Sequence, residues 1–205
     1  MENVNVLLCL NIVYNVTIKE VVFMAMWIVI GVVVVLVLYV ISIFNSLTRL
    51  KNKVKTNWSQ IDVVLKRRAD LIPNLVETVK GYAEHEKETL DNVIKARNTY
   101  VNASMPEDQM KASGELTQAL SKLMMLSEAY PDLKANTNFV QMQNDLKETE
   151  DKITFARQFY NDSVYTYQNK LEMFPSNIIA NLFHFEEFKF FETDEQSREV
   201  PKVEF

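Results

Sequence analysis

From Val21 to Phe44 the chain reads VVFMAMWIVIGVVVVLVLYVISIF, without a single charge. A helix needs about 20 such residues to cross roughly 30 Å of hydrocarbon, so the run predicts one transmembrane helix. A core helix of this length would carry a polar stripe, and a cleaved signal peptide would be shorter and end in a small-residue motif. Beyond it, apolar residues recur at alternating steps of three and four: Val54, Trp58, Ile61, Leu65, Ile72, Leu75, Val79 and Tyr82, then Val93 and Tyr100. That spacing is a helical bundle seam, and it predicts one helix running to Ser104, kinked rather than stopped at Pro73. Ser104-Met105-Pro106-Glu107-Asp108 then offers a cap, an N1 proline and first-turn acids. A second helix is predicted from Glu107 to about Ala129, with Leu116, Leu120, Leu123, Met124 and Leu126 inward. After a break at Tyr130-Pro131, Phe139, Met142, Leu146, Thr149, Ile153, Ala156, Tyr160, Ser163 and Tyr167 repeat near heptad spacing, predicting a third helix of about forty residues. A short fourth helix follows from Asn177 to about Phe183, then an aromatic stretch and an acidic tail. The predicted class is all-α: one N-terminal transmembrane helix over 21–44, and a bundle over 45–205. That bundle comprises three long antiparallel helices running up, down and up, a short C-terminal helix, and a tail over 184–205.

Composition and charge narrow the partners. Three glycines and five prolines leave few positions for the tight turns of a many-stranded fold. A net charge of −5 argues against nucleic acid, whose binders present a basic surface to the phosphate backbone. Cys9 is the only cysteine, which excludes an intrachain disulfide and a cysteine-based zinc site. Basic residues are concentrated after the apolar run, at Arg49, Lys51, Lys53 and Lys55, whereas only Lys19 precedes it. This asymmetry places the C-terminal domain in the cytoplasm and the N-terminus outside. Each of the four can gain up to about 1 kcal/mol from anionic headgroups, so membrane lipid is an expected partner. Residues 1–20 read as a short leader. Lys19-Glu20-Val21 can be encoded by a strong ribosome-binding sequence, so Met24 is the expected native start and residues 1–23 an untranslated stretch.

Few groups of the kind that perform covalent chemistry occur together. Neither His85 nor His184 has a glutamate three residues before it, which removes the di-metal pattern of helical bundles. In Glu84-His85-Glu86-Lys87-Glu88, Thr89 stands where a zinc helix needs its second histidine. There is no phosphate-cradling glycine loop and no Gly-x-Ser-x-Gly. No catalytic residue, metal or cofactor is therefore expected, and the chain does not read as an enzyme. Polar residues that fall near the seams need partners, which makes Arg67, Arg68, Asp70, Arg97, Glu150 and Arg157 candidates for contacts within or between subunits. Phe183, Phe185, Phe188, Phe190 and Phe191 are candidate docking aromatics; they would cover the end of the bundle, or meet a neighbouring subunit or the membrane interface.

The run Asn57-Trp58-Ser59-Gln60-Ile61-Asp62-Val63 through Leu65-Lys66-Arg67-Arg68-Ala69-Asp70-Leu71-Ile72-Pro73-Asn74-Leu75-Val76 resembles the LemA family. The resemblance continues at Val79-Lys80-Gly81-Tyr82-Ala83-Glu84-His85-Glu86, Ala96-Arg97, Tyr130-Pro131-Asp132-Leu133-Lys134-Ala135-Asn136 and Asn138-Phe139. It resumes at Leu146, Thr149-Glu150, Ile153, Ala156-Arg157 and Tyr160-Asn161, and reaches Pro175 and Pro201-Lys202-Val203-Glu204-Phe205, covering about residues 24 to 205. It implies a membrane-anchored antiparallel bundle, names no active site, and includes a relative among magnetosome membrane proteins.

The expected function is a non-enzymatic membrane scaffold that self-associates into a homo-oligomer and organises or shapes the bacterial membrane. The alternative is a membrane-tethered adaptor that recruits a cytoplasmic protein through a groove or the acidic tail.

Overall fold

The computed structural model describes the backbone of residues 2–191 and the side chains of residues 19–191. The acidic tail lies outside the described residues. Six helices occur in order: α1 Glu2–Lys80, α2 Lys87–Asn102, α3 Pro106–Ser127, α4 Pro131–Lys134, α5 Thr137–Glu172 and α6 Ser176–Leu182, with no strand among the described residues. The described residues divide into two compact units, one formed by residues 2–49 with 171–185 and the other by 50–170 with 186–191.

The second unit is a bundle of four helical legs. Tyr100 at the end of α2 reaches back to Asp62 on α1, and Arg97 reaches Ala69, so α2 runs antiparallel to α1. α3 returns alongside α2, and α5 runs antiparallel to α1, with Asn57 meeting the Phe159 carbonyl and Arg68 meeting Glu150. The order is up, down, up and down. Ile72, Leu75, Val79, Leu90, Val93, Leu116, Leu123, Leu133, Phe139 and Leu146 close one continuous apolar core between the legs. Burying such a side chain contributes about 1.5–3 kcal/mol, which is why the three-and-four spacing dictates helix faces so strongly.

The predicted single helix to Ser104 is therefore a hairpin, broken between Lys80 and Lys87. Its seam looked continuous because both legs bury residues at the same spacing. Gly81 weakens helix propagation by about 0.5–1 kcal/mol relative to alanine, and Glu88 in the first turn of α2 favours a new N-terminus. Tyr82, read as a seam residue, points outward and accepts a hydrogen bond from Asn136 Nδ2 at 2.8 Å. Glu86 accepts one from the Tyr130 hydroxyl at 3.2 Å, so the turn is tied to the α3–α5 connection at two points. Asn136 also caps α5, its Oδ1 accepting the Phe139 amide at 3.0 Å. Two smaller differences arise from proline. Met105, not Ser104, precedes α3, and Pro131 starts the separate short turn α4 before α5.

Pro73 lies inside α1 without ending it. It cannot donate to the carbonyl four residues back, which belongs to Ala69. Arg97 Nε donates to that carbonyl from α2, at 3.4 Å. A cation from the neighbouring leg thus replaces the bond that proline removes. In the smaller unit, Phe44 on α1 packs edge-on against Phe183 and Phe185, with ring centroids 4.9 and 5.6 Å apart.

If Arg97 compensates for Pro73, Arg97→Met lowers stability by about 1 kcal/mol in the parent chain and by distinctly less in a Pro73→Ala background, where the helix supplies its own donor. Thermal unfolding of the four proteins in detergent reads the coupling; equal losses in both backgrounds would contradict it.

Candidate functional site

The most concentrated polar chemistry in the described residues sits where α1, α3 and α5 meet. Arg68 is 1% exposed, and its guanidinium has five N–H donors to place. Nη1 donates to Glu150 Oε2 at 2.8 Å and to Thr117 Oγ1 at 2.9 Å. Nη2 donates to Ser113 Oγ at 2.7 Å and to the Ser113 carbonyl at 3.1 Å. Four donors are satisfied, while Nε has no hydrogen-bond partner among the described residues. Arg157 adds a second cation on the same hydroxyl, Nη2 to Ser113 Oγ at 3.3 Å. Its guanidinium also lies 4.2 Å from the centre of the Phe191 ring, a favourable cation–π distance.

Side chains of α5 also hold the irregular segment after α6. The Tyr167 hydroxyl donates to the Glu186 carbonyl and Gln168 to the Phe188 carbonyl, both at 2.9 Å. One heptad earlier, the Tyr160 hydroxyl donates to the Lys189 carbonyl at 2.9 Å, and Asn161 exchanges two bonds with the Phe191 backbone at 3.0 and 2.8 Å. Seven helical residues rise about 10.5 Å and three extended residues span about 10 Å, so the two pairs match the segment's repeat. Beside Trp58 and Tyr160 lies this strap, with Phe191 against Trp58 and Phe188 against Tyr167. Burial pushes the Tyr160 and Tyr167 phenols up to about 12, with nearby Glu107 adding to the first and Glu186 and Glu187 to the second. Both hydroxyls therefore stay protonated donors at neutral pH. Tyr100 is also pushed up, first by burial and then by Asp62.

The other candidates are dispersed. Arg49, Lys53 and Lys55 are exposed and Lys51 is half-buried. Arg67 and Asp70 face outward on α1, apart from the buried contact of their neighbour Arg68. Glu148 is held below the usual carboxylate range by a hydrogen bond and charge from Lys152, with a smaller contribution from Arg67. Arg97 is engaged with Ala69 and Asn98. Phe183 and Phe185 belong to the smaller unit beside Phe44, and Phe190 is exposed. Ser113 and Thr117 were not singled out in the sequence, although two hydroxyls four residues apart on the inward face of α3 are the signal of a buried cation opposite.

No group of three or more metal-ligating side chains gathers among the described residues. A cleft of about 290 Å³ opens between α2 and α3, lined by Asn92, Lys95, Thr99, Glu115, Gln118 and Lys122. It is polar and at the small end for a ligand pocket. The arrangement around Arg68 has the form of an internal clamp: a cation on α1 with four of its donors placed on α3 and α5.

Glu150 is the one anion on Arg68, and its side chain is 40% exposed. Glu150→Ala strands the cation and should destabilise the chain by about 3 kcal/mol, the lower end of the range for breaking a buried pair. Replacing both, Arg68→Met with Glu150→Leu, should recover most of that loss. Thermal unfolding in detergent checks this, and a double variant as unstable as Glu150→Ala would contradict the clamp.

The sequence pattern of the LemA family matches residues 57–205. "Protein LemA" of Metamycoplasma hominis is 24% identical, over 75% of this chain and 71% of that protein. "Magnetosome protein MamQ 2" of Paramagnetospirillum magneticum is 25% identical, over 73% of this chain and 64% of that protein. "Magnetosome protein MamQ" of Magnetospirillum gryphiswaldense is 24% identical, over 72% and 64% respectively. The match thus spans less than two thirds of the magnetosome proteins' length. The family match begins at Asn57, later than the resemblance near Met24, and leaves the apolar run to be read from its own physics. With its buried Arg68 and its Tyr130–Asn136 connection inside the matched region, the chain belongs to the LemA family.

Proposed function

We propose that this protein is a non-enzymatic, membrane-anchored scaffold whose bundle lies in the cytoplasm and self-associates into a homo-oligomer that organises the membrane. Anchoring is supported by the apolar stretch of α1, whose most apolar 18-residue window has no residue buried against the described chain. Arg49, Lys51, Lys53 and Lys55 directly after it favour the cytoplasmic side for the bundle. A scaffold rather than an enzyme fits an interior whose polar groups are spent on each other, and the magnetosome relatives fit a role in membrane organisation.

One observation carries the self-association. Val63 on α1 and Phe155 and Phe159 on α5 are 68%, 61% and 61% exposed, although they occur on adjacent legs of one bundle. The antiparallel pairing of Asn57 with Phe159 and Arg68 with Glu150 brings the three to neighbouring levels. Large apolar residues grouped this way on a bundle face mark a protein contact, and Lys66 and Arg67 rim the patch. The adaptor alternative would use a groove or the acidic tail; the α2–α3 cleft is small, and the tail from residue 192 onward lies outside the described residues.

Cross-linking in native membranes should capture copies of this chain through the α1–α5 face. Phe155→Lys with Phe159→Lys should abolish that capture while leaving membrane association intact. Exclusively monomeric parent protein at its native abundance would contradict the proposal, as would undiminished capture of the double variant.

A further inference from the structure

The smaller unit exposes a set of large apolar residues of its own, separate from those on the α1–α5 face. It brings α6 against α1 near Phe44, the last residue of the apolar run. On α6, Ser176, Ile179 and Ala180 are buried, while Ile178 and Leu182, four residues apart, share the opposite face and are 55% and 65% exposed. The preceding bend adds Met173 and Phe174, the latter 79% exposed, and Phe183 keeps half its ring surface open while touching Phe44. Between Leu171 and Phe185 the only carboxylate is Glu172, and no lysine or arginine occurs. A water-facing helix of this composition would be an anomaly, because the face opposite its buried side carries aliphatic residues where polar ones are the norm.

Three occupants could cover such a face: water, a second copy, or lipid. Its position decides among them. The face adjoins the end of the apolar stretch of α1, so in a bilayer that takes in Val21 to Phe44 the rings in contact with Phe44 lie beside the last residue of the span. Short amphipathic elements at this depth bury their apolar side about 5–10 Å into the boundary between headgroups and acyl chains. Arg49 comes little more than one turn further along α1, suitably placed for headgroup phosphates. We infer that α6 and the bend before it form a second membrane contact, with Phe174, Ile178 and Leu182 inserted into the interfacial layer of the same leaflet that α1 enters. This inference rests on the reading of Val21–Phe44 as a membrane span. It assigns α6 a partner, the lipid surface, and makes the smaller unit a collar that grips the bilayer edge beside the anchor.

Site-directed spin labelling of the full chain tests it, in vesicles of phosphatidylethanolamine and phosphatidylglycerol. Labels are attached through Ile178→Cys or Leu182→Cys in a Cys9→Ser background, with Val34→Cys on the span and Ser121→Cys on the exposed side of α3 as references. Collisions with oxygen, which concentrates in lipid, are compared with collisions with a water-soluble nickel chelate. Labels at 178 and 182 should gain oxygen and lose nickel collisions relative to 121, with values between those at 121 and 34. Values at both positions equal to those at 121 would overturn the inference. So would shielding from both reagents, which would identify a second copy as the occupant. A label at 34 that behaves like the one at 121 would instead defeat the membrane-span reading itself, so the two failures are distinguishable.

Discussion

An apolar helix surface that no described part of the chain covers is the constraint on which the rest depends. Every described residue of the window that qualifies α1 as a span is unburied. In water that surface would cost free energy in proportion to its area, at about 25 cal/mol per Å². Lipid resolves the conflict, since a helix also satisfies all its backbone groups internally, as hydrocarbon requires. The remainder of the chain then behaves as a separate problem: a bundle that buries its own seams and needs no further help to be helical.

Within that bundle, specificity comes from a few polar side chains set among many interchangeable apolar ones. Leucine and valine at three-and-four spacing make legs adhere but tolerate sliding by a turn. Arg68 does not, because its donors fit Ser113, Thr117 and Glu150 only at one relative height of α1, α3 and α5. Arg97 on the Ala69 carbonyl fixes α2 against α1 in the same way, and Asn136 fixes the α1–α2 turn against the start of α5. A buried cation is a weak source of stability and a good source of register. This accounts for polar residues in an otherwise apolar interior.

How much of this could be read from the residues alone depended on the range of the interaction. Hydrophobic periodicity is local, so the apolar run, the faces of α3 and α5 and the extent of α6 were legible to within a few residues. Pro106 announced its helix start for the same reason, whereas Pro131 was legible only as a break. The hairpin at Gly81 was not, because an up-and-down pair repeats the same spacing on both legs, and only a glycine followed by alternating glutamates distinguishes a turn from a continuing seam. Arg68, Arg97, Glu150 and Arg157 were recognisable as polar groups in need of partners, yet the partners Ser113, Thr117 and the Ala69 carbonyl lie on other helices. The strap over Tyr160 and Tyr167 was hidden for a further reason. Its own backbone carries the acceptors, and the backbone leaves no trace in composition.

Whether lipid, and not protein or water, covers Val21–Phe44 is tested most directly by washing native membranes with alkaline carbonate and assaying the full-length chain in pellet and supernatant. A lipid-covered span predicts that the chain stays with the membrane pellet and is released only by detergent. Full-length protein recovered in the detergent-free supernatant, dispersed as a soluble species, would contradict it.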